Sequence, residues 1–562
     1  MVKRVTDAGY LIRDAGLAER RRQKTAAKYL LHECSIQHLA REHHCPIPVA
    51  CMLYHTFAIG DFINRLPSII LPQFSPIVKR RKALKTIGLA ASAGWSIPFL
   101  SGLASCSKDD IQPEINYDGV VGVIGAGASG LFAADILKSK GIQVRIFEAS
   151  DRIGGRIRSI HLSEENPVRT DFPIELGAER IVGSDSFFAD VIQLINVPSV
   201  DLSTSQDHFV LGSFLTDAEI STDPDFIAAK NFFETLDSSA NAAGSVQAAI
   251  TAAGINPRTH AILNAWIGNK YGTTNTRLGI GGIAESLSLL TRDQKEKTLV
   301  SNPMQDVISS RFNSVVPDVE LNTVIKIIDH GGEKIRLTGE QISASGNSDF
   351  IAEVDKLIIA VPISVMKNGG ISFSPALPAS KTSSLAKMGM DACIRVIMDF
   401  KQNFWSQTTG FVYGGTTAPE YLSSGFQRSD YNKTMSMTVY GSSAETLSQL
   451  GKDAAEAKIL EELDSVFNGK ASLNIRKDDD GQNVSEFFDW TLQPYIQGGV
   501  SYLKPGGALA DRTTLSEPVD DILFFAGEAC DDTGDAGTIS GALRSGERAA
   551  LEVVNVIVGT NP

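Results

Sequence analysis

Residues Val120–Arg158 read VVGVIGAGASGLFAADILKSKGIQVRIFEASDRIGGRIR. An apolar run, Val120 to Ile124, meets Gly125-Ala126-Gly127-Ala-Ser129-Gly130 at once. A helix-like stretch follows, Gly141 breaks the chain, and a second apolar strand ends in Glu148. Strand, glycine turn, helix, strand and acid, in that order, form a dinucleotide-binding βαβ unit. Gly125 permits the tight turn, and Gly127 lets backbone approach a pyrophosphate. Gly130 lets the helix pack close to the strand. The helix N-terminus offers the phosphates free N–H groups and a partial positive charge. Glu148 stands where a carboxylate accepts hydrogen bonds from a ribose diol, and it would repel the 2′-phosphate of NADP.

Arg152-Ile-Gly-Gly155-Arg156 follows directly. Its glycines let backbone pass close to a diphosphate, and its guanidiniums can reach the oxygens. At this spacing the segment resembles the flavin amine oxidase superfamily. That group includes monoamine, polyamine and L-amino acid oxidases, tryptophan 2-monooxygenases and histone demethylases. Asp521-Ile-Leu-Phe-Phe-Ala-Gly527-Glu528 and Gly537-Thr538-Ile539-Ser-Gly-Ala-Leu resemble the family's second FAD contact. The resemblance spans nearly all of residues 117–556. It implies an α/β fold: an FAD-binding Rossmann-like (GR2-type) domain interleaved with an α+β substrate domain. It also implies FAD contacts from Ala149, Gly177, Ala178, Glu179, Arg180 and Ile325. Glu528 would face the ribityl and pyrophosphate region, and the helix after Thr538 would point its positive end at the flavin pyrimidine.

The chain has 562 residues, 43% hydrophobic and 21% charged, with formal net charge −13. That is ordinary globular usage. An acidic surface without a basic aromatic stripe argues against a nucleic-acid partner. Lys79-Arg80-Arg81 precedes an apolar stretch, Ile87 to Leu103, which closes on Leu103-Ala-Ser-Cys106. The pattern looks like a twin-arginine signal with a lipobox. It predicts a lipid on Cys106 and attachment to a bacterial cell envelope, periplasmic or surface-facing. A short membrane anchor is the alternative. Residues 1–77 fit neither pattern, and a true start at Val78 would explain them. A competing reading of this stretch is a small metal module using Cys34, His43, His44, Cys45 and Cys51, although their spacing matches no standard zinc pattern. Only Cys393 and Cys530 fall within the nucleotide fold, both in core-like segments, so no disulfide framework is expected.

The domain plan is therefore an extension (1–77), a leader (78–106) and a tether (107–116). The FAD domain comprises 117–200, 296–362 and 500–556, and the substrate domain 201–295 and 363–499. Helix-like runs are expected at Asp225 to Ser238 and Ser245 to Ala253, and buried strands near Leu321 to Ile325 and Asp355 to Pro362.

Pro173-Ile-Glu-Leu-Gly-Ala-Glu-Arg180 bears on substrate class. L-amino acid oxidases and tryptophan monooxygenases carry arginine at the position matching Arg180, where a forked guanidinium pairs with the substrate carboxylate. An ion pair with Glu175 or Glu179 is the plainer alternative. Glu179 itself departs from the usual apolar residue. Arg395 stands where many members keep a lysine near flavin N5, and it is the candidate catalytic residue. Val500 and Thr538 replace the aromatic walls, with Tyr502 a candidate to compensate. The resemblance implies oxidation of an amine C–N bond by hydride transfer to flavin N5, giving an imine, then an oxo acid and ammonia. Oxygen or another acceptor completes the cycle. An L-amino acid is the first choice of substrate, with a tryptophan 2-monooxygenase-like enzyme beside it. A monoamine or polyamine oxidase, a desaturase-like protein and a non-catalytic FAD-binding lipoprotein are the alternatives. No Ser/His/Asp nucleophile set and no metal site is visible in the body of the chain.

Overall fold

The computed structural model describes residues 115–161, 168 and 170–559. The extension, the leader with Cys106, the candidate metal residues and all but the last two tether residues lie outside them. Among the described residues no helix is long and apolar enough to cross a membrane.

The opening motif folds as its spacing dictates. Strand β1 (Val120–Ile124), helix α1 (Ala128–Ser139) and strand β2 (Gln143–Phe147) form the first βαβ unit. Strands β3 (Val319–Glu320), β4 (Lys356–Ile359) and β5 (Leu523–Phe525) complete a five-stranded sheet, ordered β3-β2-β1-β4-β5. Every pairing is parallel. The continuous apolar runs of β1, β4 and β5 suit a sheet covered on both faces. A Cβ on Gly130 would lie 1.9 Å from the Gly125 carbonyl oxygen, so only glycine allows this approach. Helix α2 (Ile539–Val558) packs along α1, and Gly546 presses against the Ser129 carbonyl. The two ends of the described chain thus close one layer.

A second sheet carries Thr323–Asp329, Ile335–Gln341 and Ser348–Val354 as antiparallel neighbours. Ser372–Ser374 adds a parallel edge to it. Helix Ala379–Lys387 packs on helix Leu509–Ser516. Residues 372–387 therefore pack with the cofactor side, although the sequence placed them in the substrate part.

The substrate part is built on a seven-stranded sheet. It joins Gln206–Val210 and Phe214–Thr216 to four strands between residues 393 and 440, and to Ser485–Asp489. Strand Cys393–Asp399 shows the period of two. Ile394, Val396 and Met398 pack with Ala444, Leu447, Ile459 and Leu463 of the helix Gly441–Phe467. Cys393 and Arg395 project from the opposite face. The expected helices appear as Pro224–Glu234 and Val246–Ala252.

Lys381 is 2% exposed, and its Nζ donates to the carbonyls of Thr514 (3.0 Å), Leu515 (2.8 Å) and Glu517. These carbonyls end helix Leu509–Ser516, where no backbone donor remains. The Lys381→Met variant leaves them unpaired, at about 1–3 kcal/mol for each buried group. Its melting temperature should fall by several degrees in a thermal scan while the spectrum of bound flavin is unchanged.

Candidate active site

One cavity of about 530 Å3 runs between the parallel sheet and the seven-stranded sheet. All the site residues named from the sequence line it except Ala126, Gly130, Arg152 and Arg395, and Cys106, which is outside the described residues. Their spread along the chain is bridged by the fold, since the ends of β1, β2 and β4 and the start of α2 meet there.

At the dinucleotide end, Gly127 caps α1 and has nothing within 4 Å of its missing Cβ. A side chain there would project into the cavity. The Ser129 hydroxyl is buried without a hydrogen-bond partner. An orphaned hydroxyl beside free helical N–H groups suits a phosphate oxygen. Glu148 accepts from the Ala126 N–H (2.7 Å) and from the Ser150 N–H (2.9 Å) and hydroxyl (2.7 Å). Ala126 therefore serves by orienting Glu148.

Arg152 does not reach the cavity. Its Nη1 donates to the carbonyls of Ile153 (3.1 Å) and Ile157 (3.0 Å), and its Nη2 to that of Gly155 (2.5 Å). It clamps its own loop. Arg156 does reach the cavity, and its Nη1 donates to the Gly499 carbonyl and to Glu528, both at 2.8 Å.

Glu528 is 4% exposed and fully engaged. It accepts from Arg156, from the Ser501 N–H (3.2 Å) and hydroxyl (2.7 Å), and from the Gly537 N–H (2.9 Å). Burial alone would raise its pKa. Arg156, Arg512 and the Ser501 hydroxyl outweigh that and hold it below the ordinary carboxylate value. Thr538 caps α2: its hydroxyl accepts from the Gly541 N–H (3.0 Å) and donates to the Asp535 carbonyl (2.7 Å).

The sequence left the wall at Val500 open, and the structure fills it. A Cβ on Gly272 would lie 2.3 Å from Val500 Cγ2, and one on Gly537 would lie 3.5 Å from its Cβ. Val500 is thus pressed by Gly272 and in ordinary contact with Gly537, two glycines with φ of +84° and +81°. Tyr502 does not compensate as a free ring. It is 4% exposed, and its hydroxyl donates to Asp391 Oδ1 (2.9 Å). Aromatic surface comes instead from Trp490, which opens the segment running to Tyr502 that resembles the family's return to the flavin, and from Tyr271 and Tyr440, which the sequence did not single out; all three line the cavity.

Arg395 is corrected as well. It is 3% exposed and lies behind the cavity wall. Its Nη2 is 2.6 Å from Glu179 Oε2, its Nε donates to the Glu175 carbonyl (3.0 Å), and its Nη1 donates to the Thr438 hydroxyl (2.9 Å). Glu179 and Thr438 separate it from any ligand.

Arg180 faces the cavity but is not a vacant fork. Its Nη1 pairs with Glu296 and its Nη2 with Glu420, each at 2.8 Å. Neither Glu175 nor Glu179 is its partner. Lys270 follows a π-helical turn, Asn264–Asn269, and pairs with the same Glu296 at 2.9 Å. Asn269 pins that turn, donating to the Thr438 carbonyl (2.9 Å) and accepting from the Tyr440 N–H (3.0 Å). Burial opposes ionisation of Glu296, but the two cations prevail and hold its pKa at about 2. Glu420, in contrast, is raised, by burial first and despite Arg180, with the charge of Glu296 adding to the rise. Lys270 and Glu296 gave no sequence signal, because their meaning lies in contacts between distant segments.

A family model described as flavin containing amine oxidoreductase matches residues 128–259 and 300–554. The chain belongs to this family. Its members bind FAD, and the cradle described above fits that cofactor, so the cofactor is FAD. A lysine-specific histone demethylase 1 homolog 3 of Arabidopsis thaliana is 24% identical, over 81% of this chain and 31% of its own length. The chain spans only about a third to just over half of the histone demethylases it matches. An L-amino-acid oxidase of Gloydius halys is 23% identical, over 82% of this chain and 98% of that protein. The cyclohexylamine oxidase of Brevibacterium oxydans superposes with a TM-score of 0.65 at 21% identity, covering 79% of this chain and all of that one. That likeness shows the fold. Among the described residues no cluster could hold a metal ion.

Two outcomes follow from the buried carboxylates. Glu528→Ala leaves Arg156, Ser501 and Gly537 without their common acceptor, so purified protein should lose most of its flavin, read as the ratio of visible to ultraviolet absorbance. Glu296 is depressed on folding. The stability it supplies is complete above its ordinary value of 4.5 and drains away as pH falls towards about 2. Acid unfolding of Glu296→Gln should lack that part of the transition.

Proposed function

We propose that this flavoenzyme oxidises the C–N bond of an α-amino acid, giving an imine that water hydrolyses to an oxo acid and ammonia. FAD, when bound, accepts the hydride. The observation that carries the substrate class is the pair of cations, Arg180 and Lys270, on the cavity wall. Both lean on one ionised carboxylate, Glu296, while the second, Glu420, is pushed towards its neutral form. Two cations thus line this part of the cavity beside one lining carboxylate, Glu296, an arrangement that favours a substrate carboxylate and disfavours a substrate with a second cationic end. Lys270 is the more available partner. A lysine has three donors, and Glu296 takes one. Arg180, held from behind, sets the field. The chain's own contribution is orientation of the Cα–H in a partly aromatic cavity.

A second reading is an amine without a carboxylate. It is favoured by the occupation of both terminal nitrogens of Arg180. Anaerobic bleaching of the flavin separates the two, with each L-amino acid set beside the amine that lacks its carboxyl group. The amino acids should bleach faster. Lys270→Met should raise their KM by about tenfold or more, the worth of one charged hydrogen bond, and leave that of the matching amines unchanged. Equal bleaching by both sets, untouched by Lys270→Met, would reject the carboxylate.

A further inference from the structure

We propose that Glu179 receives the ammonium group of the substrate and takes the proton that the nitrogen must shed. The inference rests on the amine reading of the cavity. An amine is mostly protonated at neutral pH, and its Cα–H cannot leave as hydride until the nitrogen has a free electron pair. The displaced proton passes either to solvent or to a group of the site. Among the described residues the carboxylates lining the cavity are Glu148, Glu179, Glu296, Glu528 and Asp535. Glu148 is engaged by Ala126 and Ser150, Glu528 by Arg156, Ser501 and Gly537, and Glu296 by its two cations. Asp535 gives Oδ1 to Arg292; its Oδ2 makes no hydrogen bond among the described residues, but it is buried away from any ligand and faces the Arg544 guanidinium at 3.8 Å, between two cations that disfavour an ammonium.

Glu179 differs. Its Oε2 meets Arg395 at 2.6 Å, and its Oε1 has no hydrogen-bond partner among the described residues. Its side chain is 6% exposed, so what that oxygen meets is the cavity. Gly177, two residues earlier, rests on the Arg156 carbonyl, which keeps Glu179 close to the dinucleotide end. Arg180, the next residue, belongs to the cationic wall. One turn of chain thus supplies a carboxylate for the ammonium and leads into the cations that would meet the carboxylate.

The charged groups around Glu179 come from several elements. Arg395 lies on the strand Cys393–Asp399, and Glu175 on the short strand Ile174–Glu175. Arg428 approaches from the segment after Glu420–Ser423, and Arg180 is adjacent in sequence. Arg395 is a positioning residue that holds one carboxylate oxygen and leaves the other to the substrate. The step balances: the ammonium N–H bond breaks, the Glu179 O–H bond forms, and the electron pair stays on nitrogen.

The test uses the FAD-loaded enzyme and the α-methylated analogue of whichever amino acid or amine bleaches the flavin. For an amino acid one α-methyl removes the only Cα–H, and for a primary amine the analogue carries two, so that in either case no Cα–H remains and it cannot be oxidised. Titration calorimetry in buffers of different ionisation heat counts the protons exchanged on binding. Wild type should bind near neutral pH with no net proton release, because the proton passes to Glu179 or stays shared with it. Glu179→Gln should bind about tenfold more weakly or worse and release about one proton for each ligand. Glu179→Asp should lie between. Wild-type affinity with no proton release in Glu179→Gln would overturn the proposal, and so would release of a whole proton by wild type, which needs no variant to fold. A purely structural role would lower the melting temperature and flavin content of Glu179→Gln and leave its proton count at the wild-type value. If no amino acid or amine bleaches the flavin, the functional reading falls. If one does and the proton counts disagree, Glu179 alone falls.

Discussion

A buried anion gathers the cofactor side of this molecule. Glu528 lies at the end of β5, and the donors it collects come from three other places: Arg156 after β2, Ser501 on the strand Ser501–Leu503, and Gly537 before α2. Burying a carboxylate is costly unless it is paired and hydrogen-bonded. Here each oxygen accepts at least two bonds, and Arg512 braces Ser501 from behind through its hydroxyl (2.8 Å) and carbonyl (3.2 Å). One acceptor thus ties together the segments that must surround the flavin.

The substrate side follows a different rule. Its wall is a chain of shared charges: Lys270 to Glu296, Glu296 to Arg180, Arg180 to Glu420. Behind it run Glu179 to Arg395 and Arg395 to the Glu175 carbonyl. Neighbours with opposite pKa shifts make the pattern directional. Glu296 is held below the ordinary carboxylate value by its two cations, and Glu420 is raised above it by burial. A polar wall of this kind is unlike an apolar tunnel and orients a ligand by its ends.

Much of the fold was legible in the sequence because its signals are local. The glycine spacing from Gly125 to Gly130, the acid at Glu148 and the apolar runs of β4 and β5 each depend on a few neighbouring residues. The placement of Ser372–Ser374 was not legible, since three residues of edge strand carry no periodicity. In the site, Glu528, Arg156 and Gly537 were legible from their motifs. Arg152, Arg180 and Arg395 were recognised as charged residues at telling positions, but their partners were not. The direction of a guanidinium is set by carboxylates and carbonyls that can be more than a hundred positions away, as with Arg180 and Glu296. The same holds for Lys270, Tyr271 and Tyr440, which meet only after the π-helical turn is pinned to its strand by Asn269.

The close approach of Gly272 to Val500, where a Cβ would lie 2.3 Å from Val500 Cγ2, couples these two positions. Any lineage that placed a ring at position 500 would need the loop at 272 to stand further off, and a lineage with valine there lets that loop move in. Such coupling is epistasis built from contact distance. The side chain at position 500 therefore limits how closely the backbone at 272 can approach it.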